Sequence, residues 1–319
     1  MRGVELVTTL RWLSVDAPSG IYKIMPTVSI VVGRENIERY LPSDFDRFAG
    51  LIESTYFRSA NHLVVCEVED LDAWDGYQSA DEILHVWLLY VEWILQDSWL
   101  IKDNCFICEI AYCRFERLGK VNWANNKLYA QASTTQGFRN AMVTFDRSEL
   151  ELWADKSILL RTRLHETGYR ITTSVIDKVT TRFARFLNFV NISRCASSPA
   201  MKIAQMCSAL ESLFSTTTTE LTHRLSERVS FFVGGTPEEM ESNYQFMKKV
   251  YSVRSQVTHG APVSKSLAGE ISSLSERMLE LQRLITFKIL EDETAGVVVG
   301  GKDENIESYF RKCLFFGVH

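Results

Sequence analysis

Beyond residue 176 the apolar residues recur every three or four positions with little interruption, whereas before residue 170 they come mostly in short runs bounded by polar turns. The first spacing buries one stripe of a helix, and the second suits strands. One chain carrying both patterns in succession cannot be a uniform helical bundle or a uniform β-sandwich. It reads as α+β: an N-terminal mixed α/β region over residues 1–172, followed by an all-α helical region over 173–319.

In the first region Val28–Gly33, His62–Val68, Cys105–Phe115 and Lys127–Ala132 are expected strands, with a helix over Ala80–Leu100 carrying Ile83, Val86, Trp87, Val91 and Leu95 near one face. That helix is too interrupted by Glu92, Gln96 and Asp97 for a membrane span, and the N-terminus lacks the apolar core of a signal peptide. A cytoplasmic location is the expectation. The acids Glu67, Glu69, Asp70, Asp72 and Asp75 lack the spacing of a calcium loop and read as a solvated loop. Asn125–Lys127 and Thr134–Gly137 read as turns. His165 and Glu166, in the segment before the expected boundary, read as surface residues.

Seven cysteines form an odd set with no paired framework. Cys105-x2-Cys108 and Cys113 invite a zinc reading, but strand-forming neighbours and the lack of a second ligand pair favour buried, reduced thiols. Neither a metal nor another cofactor is expected.

In the second region five helices and a terminal one follow from the spacing. Val179, Phe183, Phe186, Leu187 and Val190 make the first stripe, and Pro199 opens a second with Ile203, Met206, Cys207, Leu210, Leu213 and Phe214 inward. Leu221–Phe232 and Leu267–Ile285 supply two more, Glu291–Lys302 reads as a loop, and Asn305–Phe316 closes the chain. The fourth helix has the clearest ends: Thr236 as N-cap, Pro237 in the first position and acids in the first turn, then Gly260 and Pro262 as stops. Its stripe runs Met240, Tyr244, Met247, Tyr251 and then Arg254. A guanidinium on an inward face is costly unless an anion meets it, and Glu211 lies inward on the second helix. His259 falls in the last turn, where the helix dipole favours a cation.

Tyr251-Ser-Val-Arg254-Ser255-Gln-Val-Thr-His259-Gly260, together with Ala209-Leu-Glu211-Ser-Leu-Phe214 and Leu225-Ser-Glu-Arg-Val229, resembles the R-x4-6-H motif region of the HEPN superfamily, in particular its ApeA-like branch. The resemblance spans roughly residues 177–291. It implies a HEPN-like helical bundle, a two-fold homodimer and a composite site in which RNA is the partner. Arg254 and His259 would be catalytic, with Glu211, Ser255 and Tyr251 in support. Ser255 stands where many members of the superfamily carry Asn, Asp or His.

An imidazole can take the proton of a ribose 2′-hydroxyl or supply one to the leaving oxygen, while an arginine neutralises charge on the phosphorane. The implied activity is a metal-independent endoribonuclease, toxin-like in anti-phage defense and abortive infection, with a phage-derived or antitoxin regulator as a further partner. The alternative is a catalytically inactive dimerisation or RNA-binding module. Arg254 and His259 lie about 140° apart around an ideal helix, so they do not converge automatically. The net charge of −5 is uneven: residues 177–263 carry ten basic and seven acidic residues, whereas residues 1–176 carry 18 and 24. The motif-bearing stretch is the cationic one, which permits phosphate binding. For the N-terminal region the role expected is sensing a trigger or choosing the RNA.

Overall fold

A computed structural model of the protein describes residues 3–67, 76, 79–167, 180–217 and 219–317. Two compact units make up the chain, residues 1–132 with 139–159 and residues 133–138 with 160–319. The expected boundary at 172 lies outside the described residues, as do Val68, Glu69, Asp70, Asp72 and Asp75 of the expected strand end and acidic loop.

The first unit contains, in chain order, β1 (Gly3–Arg11), β2 (Leu13–Asp16), β3 (Gly20–Met25), β4 (Val28–Val32), α1 (Arg34–Tyr40), α2 (Phe45–Ala49), α3 (Leu51–Arg58), β5 (His62–Glu67), α4 (Ala80–Asp97), β6 (Ile107–Arg117), β7 (Lys120–Asn126) and β8 (Val143–Asp146). Helix α5 (Arg147–Glu166) carries the division between the units along its length. Six strands form an antiparallel sheet in the order β3-β4-β5-β1-β6-β7, and β2 pairs with β8 in parallel.

The sheet is covered on both faces. Leu6, Leu10, Ile30, Val64 and Cys113 join one core with Ile83, Trp87, Val91 and Ile94 of α4. Val7, Val31, Leu63, Val65 and Tyr112 join a second with Ile37, Phe45 and Phe57 of α1–α3. Successive side chains of a strand point to opposite faces, so a sheet buried on both sides needs unbroken apolar runs such as Val28–Val32. A capping box between Ser79 and Glu82 starts α4.

Two expectations fail here. Lys127–Ala132 is not a strand. The strand precedes it as β7, which folds back on β6 through a turn with positive φ at Leu118 and Gly119; pairing ends where Asn126 meets Ala111. Asn125 and Asn126 therefore lie inside the strand. Strands β1–β3 and β8 and helices α1–α3 and α5 are additions to the expected set.

The second unit continues with α6 (Arg182–Cys195), α7 (Pro199–Phe214), α8 (Leu221–Val233), α9 (Pro237–Thr258), α10 (Lys265–Ala268), α11 (Ile271–Glu291), α12 (Glu293–Gly300) and α13 (Asp303–Phe316). Helix α7 is its centre, packed against α6, α8, α9 and α11, and Ile203, Met206, Cys207, Leu210, Leu213 and Phe214 are all buried along it. The expected loop at 291–302 is instead largely helical. Asp292 caps α12 by accepting from the amides of Thr294 and Ala295 at 2.8 and 3.2 Å, and burial of Ala295, Val298 and Val299 overrides the weak helix propensity of that valine- and glycine-rich stretch.

A strap from earlier in the chain completes this unit. Ser133 donates its amide to the Arg194 carbonyl at 2.7 Å and its hydroxyl to the Ala196 carbonyl at 2.6 Å. Thr135 offers its carbonyl to the Ser275 hydroxyl at 3.1 Å. The expected turn at 134–137 is present: Gly137 has φ +91°, and a Cβ there would lie 2.4 Å from the Ser197 carbonyl oxygen, so glycine is needed for both conformation and space. The ammonium of Lys202, 1% exposed, donates to the carbonyls of Ser133, Ser193 and Arg194, each at 3.0 Å.

Candidate functional site

Helix α9 is fixed at both ends by local chemistry. Thr236 and Glu239 form a reciprocal capping box, with Pro237 in the first position. At the other end Gly260, at φ +70°, donates to the Val257 carbonyl at 3.1 Å, and Ala261 donates to that of Gln256 at 2.9 Å. This is the two-bond Schellman ending. The side-chain carbonyl of Gln256 then accepts from the Ser264 amide at 2.8 Å, tying down the chain after the helix. His259 occupies the cap position between helix and turn, with φ −89° and ψ 7°.

Between these ends Met247, Val250, Tyr251 and Val253 are buried, while Met240, Tyr244 and Arg254 are half-buried. The inward-facing guanidinium does meet an anion. Arg254 Nη2 lies 3.2 Å from Glu211 Oε1 and 3.3 Å from Oε2. The Tyr251 hydroxyl donates to the same Oε1 at 2.9 Å, and the Arg254 guanidinium carbon stands 5.2 Å from the centre of the Tyr251 ring. The Arg254 and Glu211 side chains keep 23% and 20% of their exposure, so this is a half-buried pair with one side open to solvent.

The environment fixes two protonation states. Burial, then the Glu211 hydrogen bond and charge, push the Tyr251 hydroxyl above the usual phenol range, against a lowering influence from Arg254. Tyr251 is therefore a donor that holds Glu211 in place rather than a source of protons. Sequence spacing placed it on the inward stripe, three residues before Arg254, which is the signal for the bridging role. Burial and the Glu211 charge likewise raise the thiol of Cys207, one turn before Glu211.

The structure thus joins Glu211, Tyr251 and Arg254 by direct contact. It does not join Ser255 or His259 to them in that way. The Ser255 side chain is half-buried and the His259 ring exposed, and neither makes a side-chain hydrogen bond or ion pair with the described residues; Ser255 contributes its carbonyl to the His259 amide at 3.2 Å. Glu211→Ala removes the acceptor shared by Arg254 and Tyr251. It is expected to lower stability by about 1–3 kcal/mol, as for a half-buried group left unpaired. Tyr251→Phe should cost about 1 kcal/mol, and in a double-mutant cycle by denaturant unfolding the two losses should not add.

Elsewhere, His223 is exposed, with Nδ1 2.9 Å from the Tyr244 hydroxyl. His165 is exposed on α5, where Glu166 pairs with Arg163 at 3.6 Å. Six cysteines are buried and Cys195 is half-buried, all as free thiols. Burial pushes Cys108 up to about 11 and Cys113 up to about 12, which disfavours the thiolates a metal would need. Among the described residues no helix is long and apolar enough to cross a membrane. No protein-family model, curated protein or solved structure compared with the chain matches it.

Proposed function

We propose that this chain is a metal-independent endoribonuclease of the HEPN type, working as a homodimer whose helical units contribute Arg254 and His259 to a shared cleft. The reading rests on one observation: a guanidinium oriented by Glu211 and Tyr251, yet open on one side, stands five residues before an imidazole fixed by a Schellman ending and left free. His259 acts as acid or base at the ribose 2′-hydroxyl or the leaving oxygen. Arg254 stabilises the phosphorane, and Ser255 assists at the phosphate. The products are a 2′,3′-cyclic phosphate and a 5′-hydroxyl, and DNA, lacking the 2′-hydroxyl, is spared. In a cell such an enzyme is a cytoplasmic, toxin-like effector of anti-phage defense, restrained or released by a regulator.

The test is cleavage of end-labelled total RNA in EDTA by wild type and by His259→Ala. The variant, altered only at an exposed cap residue, should melt with wild type and lose cleavage by about 10²–10⁴-fold. Equal cleavage by both proteins removes His259 from the mechanism. A second reading, an inactive dimerisation or RNA-binding module, is favoured by the fact that Glu211 already meets the Arg254 charge. Retarded RNA without cleavage, equally in both proteins, would establish that one.

A further inference from the structure

Among the described residues, a cleft in each unit has charged side chains on its walls, and the two differ in kind. The one between α8 and α13, about 600 Å³, sets Glu220, Glu227 and Glu307 against Arg224, Arg228 and Arg311. Arg228 and Glu307 pair at 2.5 Å, and Arg224 lies 3.9 Å from Glu220. Its walls largely neutralise one another.

The other lies in the sheet unit, about 690 Å³ in volume, where the ends of β2 and β4 face α1 and the end of α3. Its walls include two arginines, Arg34 and Arg58, and no carboxylate. This occurs in the acidic part of the chain, so the polarity is local. The apolar wall is Val15, Ala17, Val32, Ile37 and Ala60. Hydroxyls in the lining are committed inward: Thr55 donates to the Leu51 carbonyl at 2.7 Å, Ser59 to that of Tyr56 at 3.2 Å, and Ser19 to that of Val32 at 3.3 Å. The two guanidinium groups and the second amide N–H of Asn61 remain for a ligand.

Arg34 is exposed and makes no hydrogen bond or ion pair with the described residues. Arg58 is anchored by Asp46 at 2.9 and 3.0 Å and by Glu38, three bonds that leave two of its five N–H groups unused. The rim is built around Gly33, at φ +95°, where a Cβ would lie 2.1 Å from the Ser19 hydroxyl oxygen. Any side chain there would close the approach of the β4–α1 corner to Ser19. An apolar-walled cavity of this size with a few convergent polar groups is the usual form of a small-molecule site.

We infer that this cavity binds a small amphipathic carboxylate, its anionic end on Arg34 with support from the remaining N–H groups of Arg58 and its apolar body against Val15, Ala17, Val32, Ile37 and Ala60. The fork of a guanidinium matches a carboxylate by two parallel hydrogen bonds; Glu38 and Asp46 already meet the Arg58 charge, so Arg34 carries the uncompensated one. The site gives the sheet unit a ligand of its own, separate from the helical unit and from the ribonuclease reading.

The test is thermal denaturation and titration calorimetry of the full chain with acetate, hexanoate and inorganic phosphate at fixed ionic strength. Hexanoate at saturating concentration should raise Tm by about 2–4 °C, because a ligand that binds only the native state stabilises it; acetate and phosphate should do much less. Arg34→Ala, at an exposed position, should fold normally and lose the hexanoate shift, and Ala60→Leu should lose it by filling the cavity. Absence of a hexanoate shift in wild type overturns the proposal, as does an undiminished shift in Arg34→Ala. A shift as large with phosphate alone would overturn the amphipathic assignment. RNA cleavage is not among these readouts, so the two proposals fail independently.

Discussion

Lys202→Met should lower the stability of the helical unit by about 1–3 kcal/mol while leaving the sheet unit at its original denaturant midpoint. Methionine keeps the length and volume of the stem. It removes three donors from carbonyls at Ser133, Ser193 and Arg194, each 3.0 Å from the ammonium. The Arg194 carbonyl keeps the Ser133 amide and the Ser193 carbonyl keeps that of Ala196, so the cost falls mainly on the Ser133 carbonyl, about 1–3 kcal/mol. Two of these carbonyls belong to the last turn of α6, where the groups left over by the helix concentrate negative charge, so a cation also answers the dipole. Lys202→Arg should not rescue, since a planar fork cannot direct three donors to three converging oxygens. Denaturant unfolding followed by a probe in each unit measures the loss; a drop below about 1 kcal/mol in Lys202→Met would show that water had replaced the ammonium.

Acid should weaken the sheet unit through one histidine. His62, 2% exposed, accepts the Leu10 amide on Nε2 at 3.1 Å, just past the bulge that interrupts β1 between Thr8 and Leu10. Accepting there places the ring proton on Nδ1, which is buried without a partner. A second proton would turn the acceptor into a donor facing a donor, inside a core. Burial accordingly holds the imidazole down to about 4, against an ordinary value of 6.5. Because the folded value is the lower one, the unfolded chain binds more protons between pH 6.5 and 4. The contribution of His62 is complete above pH 6.5, falls as pH drops through this window, and is flat below it. The loss amounts to about 3 kcal/mol. His62→Gln, whose amide oxygen can still accept from Leu10, should flatten this part of the stability–pH curve. Carboxylates titrate in the same window, so the measured quantity is the difference between wild type and variant in urea midpoint at pH 7.5 and 4.5. Parallel curves would show that the ring is hydrated in solution.

These two residues also mark where the sequence stops speaking. The helical half was legible because its signals are local: the Thr236-Pro237 start, the Gly260 stop and the stripe through Met247 and Tyr251 depend on neighbours within a turn or two. Glu211 and Arg254 could be placed on inward faces by the same spacing, and the structure brings them into contact. Lys202 could not, since beside Ile203 and Met206 a lysine reads as a solvated face; its partners are carbonyls eight, nine and 69 residues away. Strands β1 and β3 lack the dense valine and isoleucine runs of β4, and their place in the sheet is set by partners far along the chain. The α12 segment failed for the converse reason: its Val-Val-Val-Gly-Gly composition argues against a helix locally, and burial against the rest of the unit outweighs that local preference. Within the site, spacing placed Glu211 on α7, Tyr251, Arg254 and Ser255 on α9 and His259 at its end, but said nothing of which side chains touch.

The strap also sets a timetable. During synthesis Ser133–Phe138 emerges 61 residues ahead of Arg194 and, through Thr135, 140 ahead of Ser275. Until Arg194 has been made the Ser133 amide lacks its carbonyl, and until Ser275 has been made the Thr135 carbonyl lacks its hydroxyl. Helices α6 and α7 can close on the strap as they emerge, but its tie to Ser275 comes only with α11. The unit is complete only with α13, and any activity that depends on a finished helical unit waits with it.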